Sequence, residues 1–241
     1  MTPPRRSSSA REFRRGVFDI LPVLAAAAPI GLLWGTLAAA KGFSPFAAWL
    51  MSASVFAGAS QFVAIDMWRD PVPLLLVVFT TVIVNVRHLL MGASLQRHLG
   101  DFSRPGRLLA MFLMTDESWA FAERKVLVEP LRPAYYFGVA LAMWLVWTAS
   151  SLVGAIAGRS LGDPAAYGFD FAFSAMFIAI LAGFWKGART GAVLASSAVA
   201  AALAKLAVPG AWYIIIGGLA GVVVAALLHR EAEESAAKDA P

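Results

Sequence analysis

The sequence predicts an all-α fold: a polytopic helical membrane protein of about eight transmembrane helices, some of them discontinuous, with a weak internal repeat. Three observations carry that prediction. Apolar side chains make up 59% of the 241 residues and charged ones only 15%, against about 25% charged in a soluble domain. The apolar residues gather in runs of about 20, and at about 1.5 Å of rise per residue such a run crosses the roughly 30 Å hydrocarbon core. Charged or Gly/Pro-rich stretches separate the runs, as loops between crossings do.

Residues 1–15 are rich in Pro, Ser and Arg and read as a disordered basic segment. Residues 16–230 read as a single transmembrane domain and 231–241 as a polar, solvated tail. The expected spans are 17–40, 46–67, 72–96, 107–122, 134–158, 169–185, 190–208 and 211–228. The first is too long for the apolar core of a signal peptide and is interrupted by Asp19, Pro22 and Pro29, so it counts as a span. Spans 46–67 and 107–122 are the weakest, and seven crossings is the alternative. With eight, both termini share a side, and that side carries most of the loop Arg and Lys, which makes it cytoplasmic. The loop holding Arg97, Arg104 and Arg107 fits this scheme worst. The repeat rests on "PIGLLWGTLAAAKGFSP" and "LVWTASSLVGAIAGRSLGDP", each running from a Trp region through small residues to a Gly-bounded turn and Pro.

Several functions are excluded at this level. There is no cysteine, so disulfides and thiolate metal sites are ruled out. The net charge of +5 resides in the N-terminal segment and loops, with no basic surface interleaved with aromatics, so nucleic acid is not a partner. His88, His98 and His229 are scattered and no HExxH motif occurs, so no metal is expected. Without a phosphate-binding loop or a GxSxG elbow, neither a cofactor nor an enzyme active site is expected.

Polar groups inside the spans mark the candidate working residues, because hydrocarbon tolerates an ionic group only where it is paired or lines a wet cavity. In "TTVIVNVRHLLMGASLQ", Thr80 to Gln96, the residues Asn85, Arg87 and His88 interrupt an uncharged run near mid-span. At about 100° per residue, Asn85, His88, Gly92 and Gln96 share one face while Arg87 and Ser94 project almost opposite. No lipid-facing side survives, so the segment is either enclosed by protein or broken near Asn85. An arginine there costs about 2.5–3.5 kcal/mol on insertion scales, so Arg87 is a structural tie, a working group, or both. Its expected acidic partners are Asp116 and Glu117 in "MFLMTDESWAF". Asp116, Trp119 and Glu123 share a helical face, and Glu117 points elsewhere. Either these acids lie within the span, where a carboxyl can carry a proton, or the span ends early and both sit at the interface. The run Ala57, Gly58, Ala59, Ser60, Gln61 permits close helix packing, which spacing favours, or an unwound backbone open to a ligand. Asp19, close to Pro22 and Pro29, is a similar case in the first span.

At these residues the chain resembles a known family. "FDILPVLAAAAPIG" (18–31), "GFSP" (42–45), "VFAGASQF" (55–62), "NVRHLLMGASL" (85–95) and "TDESWA" (115–120) occur in the order and spacing of AzlC-type proteins, the large subunits of branched-chain amino acid exporters. The resemblance runs from about Gly16 to Arg230 and is densest before residue 125. It implies secondary transport of branched-chain amino acids, often with methionine, usually outward across the cytoplasmic (inner) membrane of a bacterium. A small AzlD-type membrane subunit is the implied partner. For a zwitterion with an apolar side chain, Gly58, Ser60, Gln61, Asn85, Arg87, His88 and Trp119 are the expected substrate-binding residues, with Phe56, Phe62, Trp34 and Trp119 as pocket walls. Asp116, Glu117 and Asp19 are the expected proton-coupling or ammonium-facing acids. Two other readings stay open: a channel or importer, and a membrane interaction protein that carries no flux.

Overall fold

The computed structural model describes residues 8–160, 171, 178, 182, 185, 187–208 and 212–238. The expected span 169–185 therefore lies almost entirely outside the described residues, as do residues 1–7. The described helices are α1 (Ser9–Ala40), α2 (Pro45–Val55), α3 (Gly58–Asp66), α4 (Leu74–Asn85), α5 (Arg87–Gln96), α6 (Arg104–Phe112), α7 (Asp116–Val126), α8 (Pro133–Gly158), α9 (Ala188–Ala207) and α10 (Trp212–Lys238). No strand occurs among them. Four are long and apolar enough to cross a membrane: α1, Leu74–Gln96 taken as one helix, α8 and α9. Where the sequence suggests one domain, the chain forms two compact units, 1–72 with 84–172, and 73–83 with 173–241.

The first unit is organised by α1 and α8. Residues 9–15, expected to be disordered, are the first turns of α1: the Ser8 side chain caps the Arg11 N–H, and Glu12 is buried against Lys125. Gly16 packs on Tyr135 and Val139, and Gly35 on Ser151 and Ala155, so α1 and α8 run in the same direction. Glycine is required here: a Cβ on Gly154 would overlap the Leu32 carbonyl, and one on Gly35 the Ser151 carbonyl. The spacing Gly31-x-x-x-Gly35 meets Gly154-x-x-x-Gly158, which lets the two backbones approach closely. Thr36 Oγ1 donates across the seam to the Gly154 carbonyl at 3.3 Å.

Two expected spans are each built as a hairpin of two short helices instead of one long helix. Residues 45–66 as one straight helix would separate their ends by about 30 Å, yet Trp68 stacks edge-on against Phe43 with ring centroids 4.8 Å apart. The chain enters as α2, turns at Phe56 and Ala57, and returns as α3. The region 107–122 behaves likewise. A surface cleft is lined both by Arg97, His98, Gly100 and Asp101 before α6 and by residues 126–131 after α7. Arg87 pairs with Asp116 and Ser94 with Glu123, so α5 and α7 run in the same direction and the chain reverses between α6 and α7. Each helix of these hairpins has 9 or 11 residues, about half of a bilayer crossing.

The reversal re-sorts the charges of this unit. Arg11, Arg14 and Arg15 at the start of α1 lie at the same end as Arg97, Arg104 and Arg107 around the α5–α6 loop. Arg124, Lys125 and Arg132 around the α7–α8 loop join them. Lys41, Arg69 and Arg159 lie at the other. The arginine-rich loop that fits an eight-crossing scheme badly thus falls on the basic end.

In the second unit α9 and α10 are antiparallel, with Gly217 against Ser197 and Ala201, and Gly221 against Val193 and Ser197. Lys205 stands over the Tyr213 ring at 5.4 Å, which gives an in-span cation a partner. Trp212 meets Phe79 edge-on at 5.7 Å. The expected polar tail continues α10 as helix to Lys238.

Candidate functional site

The helix carrying Arg87 continues from Leu74 through Val86, whose φ of -52° and ψ of -33° are helical, so the backbone is not opened at Asn85. Arg87 Nη2 lies 2.9 Å from Asp116 Oδ2, each side chain about half exposed (45% and 46%). One face of α5 therefore meets one face of α7. Two turns further on, Ser94 Oγ donates to Glu123 Oε1 at 2.6 Å and accepts from Trp119 Nε1 at 2.7 Å. Gly92, on another side of α5, packs on Met111 and Met114 at the far end of α6 and in the turn.

Local chemistry explains why α7 starts where it does. Thr115 caps the Ser118 N–H and the Ser118 hydroxyl accepts from the Thr115 N–H, a reciprocal box that satisfies two donors at a helix start. Asp116 and Glu117 then occupy the first turn, where the helix dipole favours negative charge. The span does end early, but at a hairpin tip. Glu117 is half-buried, and none of the described residues makes a hydrogen bond or ion pair with it.

The tip of the other hairpin is also irregular. Phe56 is left-handed (φ 43°, ψ 44°) and buried, a conformation costing a non-glycine residue about 1–2 kcal/mol. Such outliers persist where the surroundings fix them and tend to occur at working sites. α3 begins without a side-chain cap, so the N–H groups of Gly58, Ala59 and Ser60 have no intrahelical acceptor. The Ser60 hydroxyl is fully buried and has no hydrogen-bond partner among the described residues. Gln61 is buried with its amide satisfied: Nε2 donates to Ser52 Oγ at 2.9 Å, and Oε1 accepts from Trp147 Nε1 at 3.0 Å. The Trp147 ring also covers Gly58, where a Cβ would stand 2.9 Å from it. Close packing is present at Gly58 and Gln61, while the backbone leaves helical geometry at Phe56 and Ala57 and Gly58 to Gln61 form the first turn of α3.

Of the expected site residues, the structure brings together Arg87, Asp116 and Trp119, with Glu117 beside them. His88 Nδ1 lies 3.2 Å from the Asn85 carbonyl one turn earlier, and the Asn85 Oδ1 is buried without a partner among the described residues. Gly58, Ser60 and Gln61 belong to the other hairpin, and none of their described bonds reaches Arg87. Asp19 stands apart as well, accepting from Tyr135 Oη at 2.9 Å. Phe56, Phe62 and Trp34, expected as pocket walls, are fully buried core residues. The sequence reading missed the polar tie through Ser52 and Trp147, and the cluster in which Lys125 meets Glu129 at 2.7 Å, Glu12 at 3.9 Å and the Tyr135 ring at 4.1 Å. The Thr115–Ser118 cap was a readable signal for the reversal before Asp116.

Among the described residues no group of acids and histidines could hold a metal ion. Residues 22–161 match the AzlC protein family. The chain is 29% identical to the inner membrane protein YgaZ of Escherichia coli, over 93% of this chain and 92% of that one. It is 30% identical to an uncharacterized membrane protein of Archaeoglobus fulgidus over 89% and 94% of the two chains. Its identity to the branched-chain amino acid transport protein AzlC of Bacillus subtilis is 29%, over 75% and 71%. No solved structure matches.

Proposed function

The chain belongs to the AzlC family, and from that premise we propose that it is a secondary transporter exporting branched-chain amino acids and methionine by proton antiport. It would act in the cytoplasmic membrane as the large subunit of a two-component exporter, beside a small AzlD-type membrane subunit. The substrate class comes from the relative in Bacillus subtilis. By the positive-inside rule the end bearing Arg15, Arg104 and Arg124 faces the cytoplasm, which puts the N-terminus there; the C-terminus is expected on the same side.

The observation that carries the mechanism is the Arg87–Asp116 pair at 2.9 Å, joining a spanning helix to the tip of a hairpin. Irregular backbone at mid-depth is tolerated where protein or a wet cavity surrounds it, and transporters place substrate at such broken helices. A guanidinium offers a planar fork that fits a carboxylate in two-point geometry. In this reading Asp116 holds Arg87 in the empty state. The amino acid binds from the cytoplasm while Asp116 is ionised, its carboxylate displacing Asp116 from Arg87; after release outside, a proton from that side neutralises Asp116 for the return. Glu117, free of partners among the described residues, faces the ammonium group. Trp119 and the Met111–Met114 corner supply apolar surface, and loss of the Asp116 proton on return restores the pair. Backbone N–H groups at Gly58 to Ser60 are a second place where a carboxylate could be received.

The test is efflux of leucine, isoleucine, valine and methionine from peptide-loaded cells lacking native exporters, with and without the small subunit. Arg87→Ala is expected to abolish efflux with folded protein retained, and Asp116→Asn or Glu117→Gln to abolish its dependence on the proton gradient. Normal, gradient-dependent efflux in all three variants sinks the mechanism. No efflux of any of the four from well-folded wild-type complex sinks the exporter reading itself.

A further inference from the structure

We propose that the cleft between α1, α7 and α8 at the basic end is a second amino-acid site, a vestibule that holds a zwitterion between Asp19 and Arg124. It rests on the transport reading for its ligand class and extends that reading to residues outside the Arg87 pair.

The cleft has a volume of about 450 Å³, within the range of small-molecule sites, and residues of both charge signs line it. Each charge can be accounted for. Arg15 is held by Glu129 at 2.7 Å. Lys125 is buried, bound to Glu129 at 2.7 Å and lying over the Tyr135 ring. Two charges remain. Asp19 accepts one hydrogen bond, from Tyr135 Oη at 2.9 Å, and forms no ion pair among the described residues. Arg124 has neither a hydrogen bond nor an ion pair among them. Though they line the same cleft, their charged atoms are not within the 4.0 Å of an ion pair.

Opposite charges that share a cleft without meeting leave room for a ligand carrying both signs. A simple anion would satisfy Arg124 and repel Asp19, and a simple cation would do the reverse. An α-amino acid puts its ammonium group on Asp19 and its carboxylate on Arg124. Its side chain then falls between Phe121 and Val128, and Val128 is 78% exposed. Tyr135 fixes the Asp19 carboxylate from one side and leaves its other lone pairs open.

This site is distinct from the one at Arg87. Phe121 and Arg124 lie about 140° around α7 from Asp116, Trp119 and Glu123, at about 100° per residue. Arg124 is also about 12 Å further along the helix axis than Asp116. α7 is therefore the wall between two polar places. One side faces the basic end, where substrate arrives, and the other faces the pair on the spanning helix.

The experiment measures binding of radiolabelled leucine to the full-length chain in lipid nanodiscs, alone and with the small subunit, with thermal unfolding as the check on folding. Wild type is expected to bind two equivalents. Asp19→Asn and Arg124→Gln should each bind one, Arg87→Ala one, and the Asp19→Asn/Arg87→Ala pair none. Leucine amide and 4-methylpentanoate, each missing one charge, should compete at least tenfold more weakly than leucine at the site left in Arg87→Ala. Asp19→Glu and Arg124→Lys should recover part of the lost equivalent, separating ligand contact from misfolding. If leucine binds once, is lost in Arg87→Ala and is untouched by both vestibule substitutions, the vestibule is wrong and the transport reading stands. If no form binds leucine, both fall.

Discussion

Gly154→Ala tests whether the α1–α8 seam is the rigid part of the first unit. The added Cβ would overlap the Leu32 carbonyl and stand 2.9 Å from the Leu32 Cα. Carbon atoms prefer about 3.5–4.0 Å, so the shortfall is about 0.6–1.1 Å. The obstacle is helix backbone, which cannot rotate away as a side chain would, so α1 and α8 must part. Parting also stretches the Thr36 bond to the Gly154 carbonyl, already 3.3 Å long. Overpacking of this kind costs about 1–3 kcal/mol. Against it stands a gain of about 0.5–1 kcal/mol for alanine over glycine inside a helix. The net expectation is a loss of about 1–2 kcal/mol. Gly218→Ala in α10 is the control, since no described residue lies within 4 Å of a Cβ there and only the gain remains. The same substitution should thus lower the unfolding temperature at one position and raise it at the other, read by tryptophan fluorescence in detergent. A Gly154→Ala protein at least as stable as wild type refutes the close seam.

Four further outcomes follow from the geometry. The chain has no cysteine, so Gly100→Cys and Leu127→Cys can be labelled cleanly; a membrane-impermeant maleimide should reach both from the same side, and opposite sides would make 107–122 a true crossing. Gln61→Met keeps the volume but strands the Trp147 N–H in the core, costing about 1–3 kcal/mol; adding Trp147→Phe should lose less than the sum of the single changes. Thr115→Ala removes the cap at the hairpin tip and should cost about 0.5–2 kcal/mol of thermal stability, with Thr115→Ser close to wild type. The hydrogen bond from Lys125, with the charges of Lys125 and Arg15, holds the Glu129 carboxyl below the usual carboxylate range. A lowered folded value means a stabilisation present above the unfolded pKa and lost as pH falls through the folded one. Glu129→Gln should then be less stable at pH 7, by about 1 kcal/mol because the group is partly exposed, and the gap should close below about pH 4.

Periodicity and hydropathy suffice to place α1, α8 and the helix from Leu74 to Gln96, because each buries or exposes a continuous apolar surface. They fail for 46–67 and 107–122, since two half-length helices joined by a short turn have the same average hydropathy as one full crossing. What distinguishes them is local: Thr115 and Ser118 around two acids, and small residues after Phe56, read from sequence as packing. At the candidate site, the match of Arg87 to an acid near Asp116 was legible because an unpaired charge in a span needs a partner. The tie through Gln61, Ser52 and Trp147 was not, since no spacing rule links residues 86 positions apart in the chain.

These differences in packing bear on where movement in a transport cycle would fall. α1 and α8 meet through glycines whose neighbours are backbone atoms, and such a contact has no intermediate positions. The hairpins are held otherwise. α7 is tied to α5 by the Arg87–Asp116 pair and by Ser94. α3 is tied to α2 and α8 by the amide of Gln61, with Phe62 and Ile65 buried beside it. Polar ties of this kind can be exchanged for bonds to a zwitterion one at a time, whereas a glycine seam can only be kept or broken. A proton arriving at Asp116 or a carboxylate arriving at Arg87 acts on the more exchangeable of these contacts. The hairpin carrying Asp116 is therefore the element that can respond to substrate while α1 and α8 stay in place.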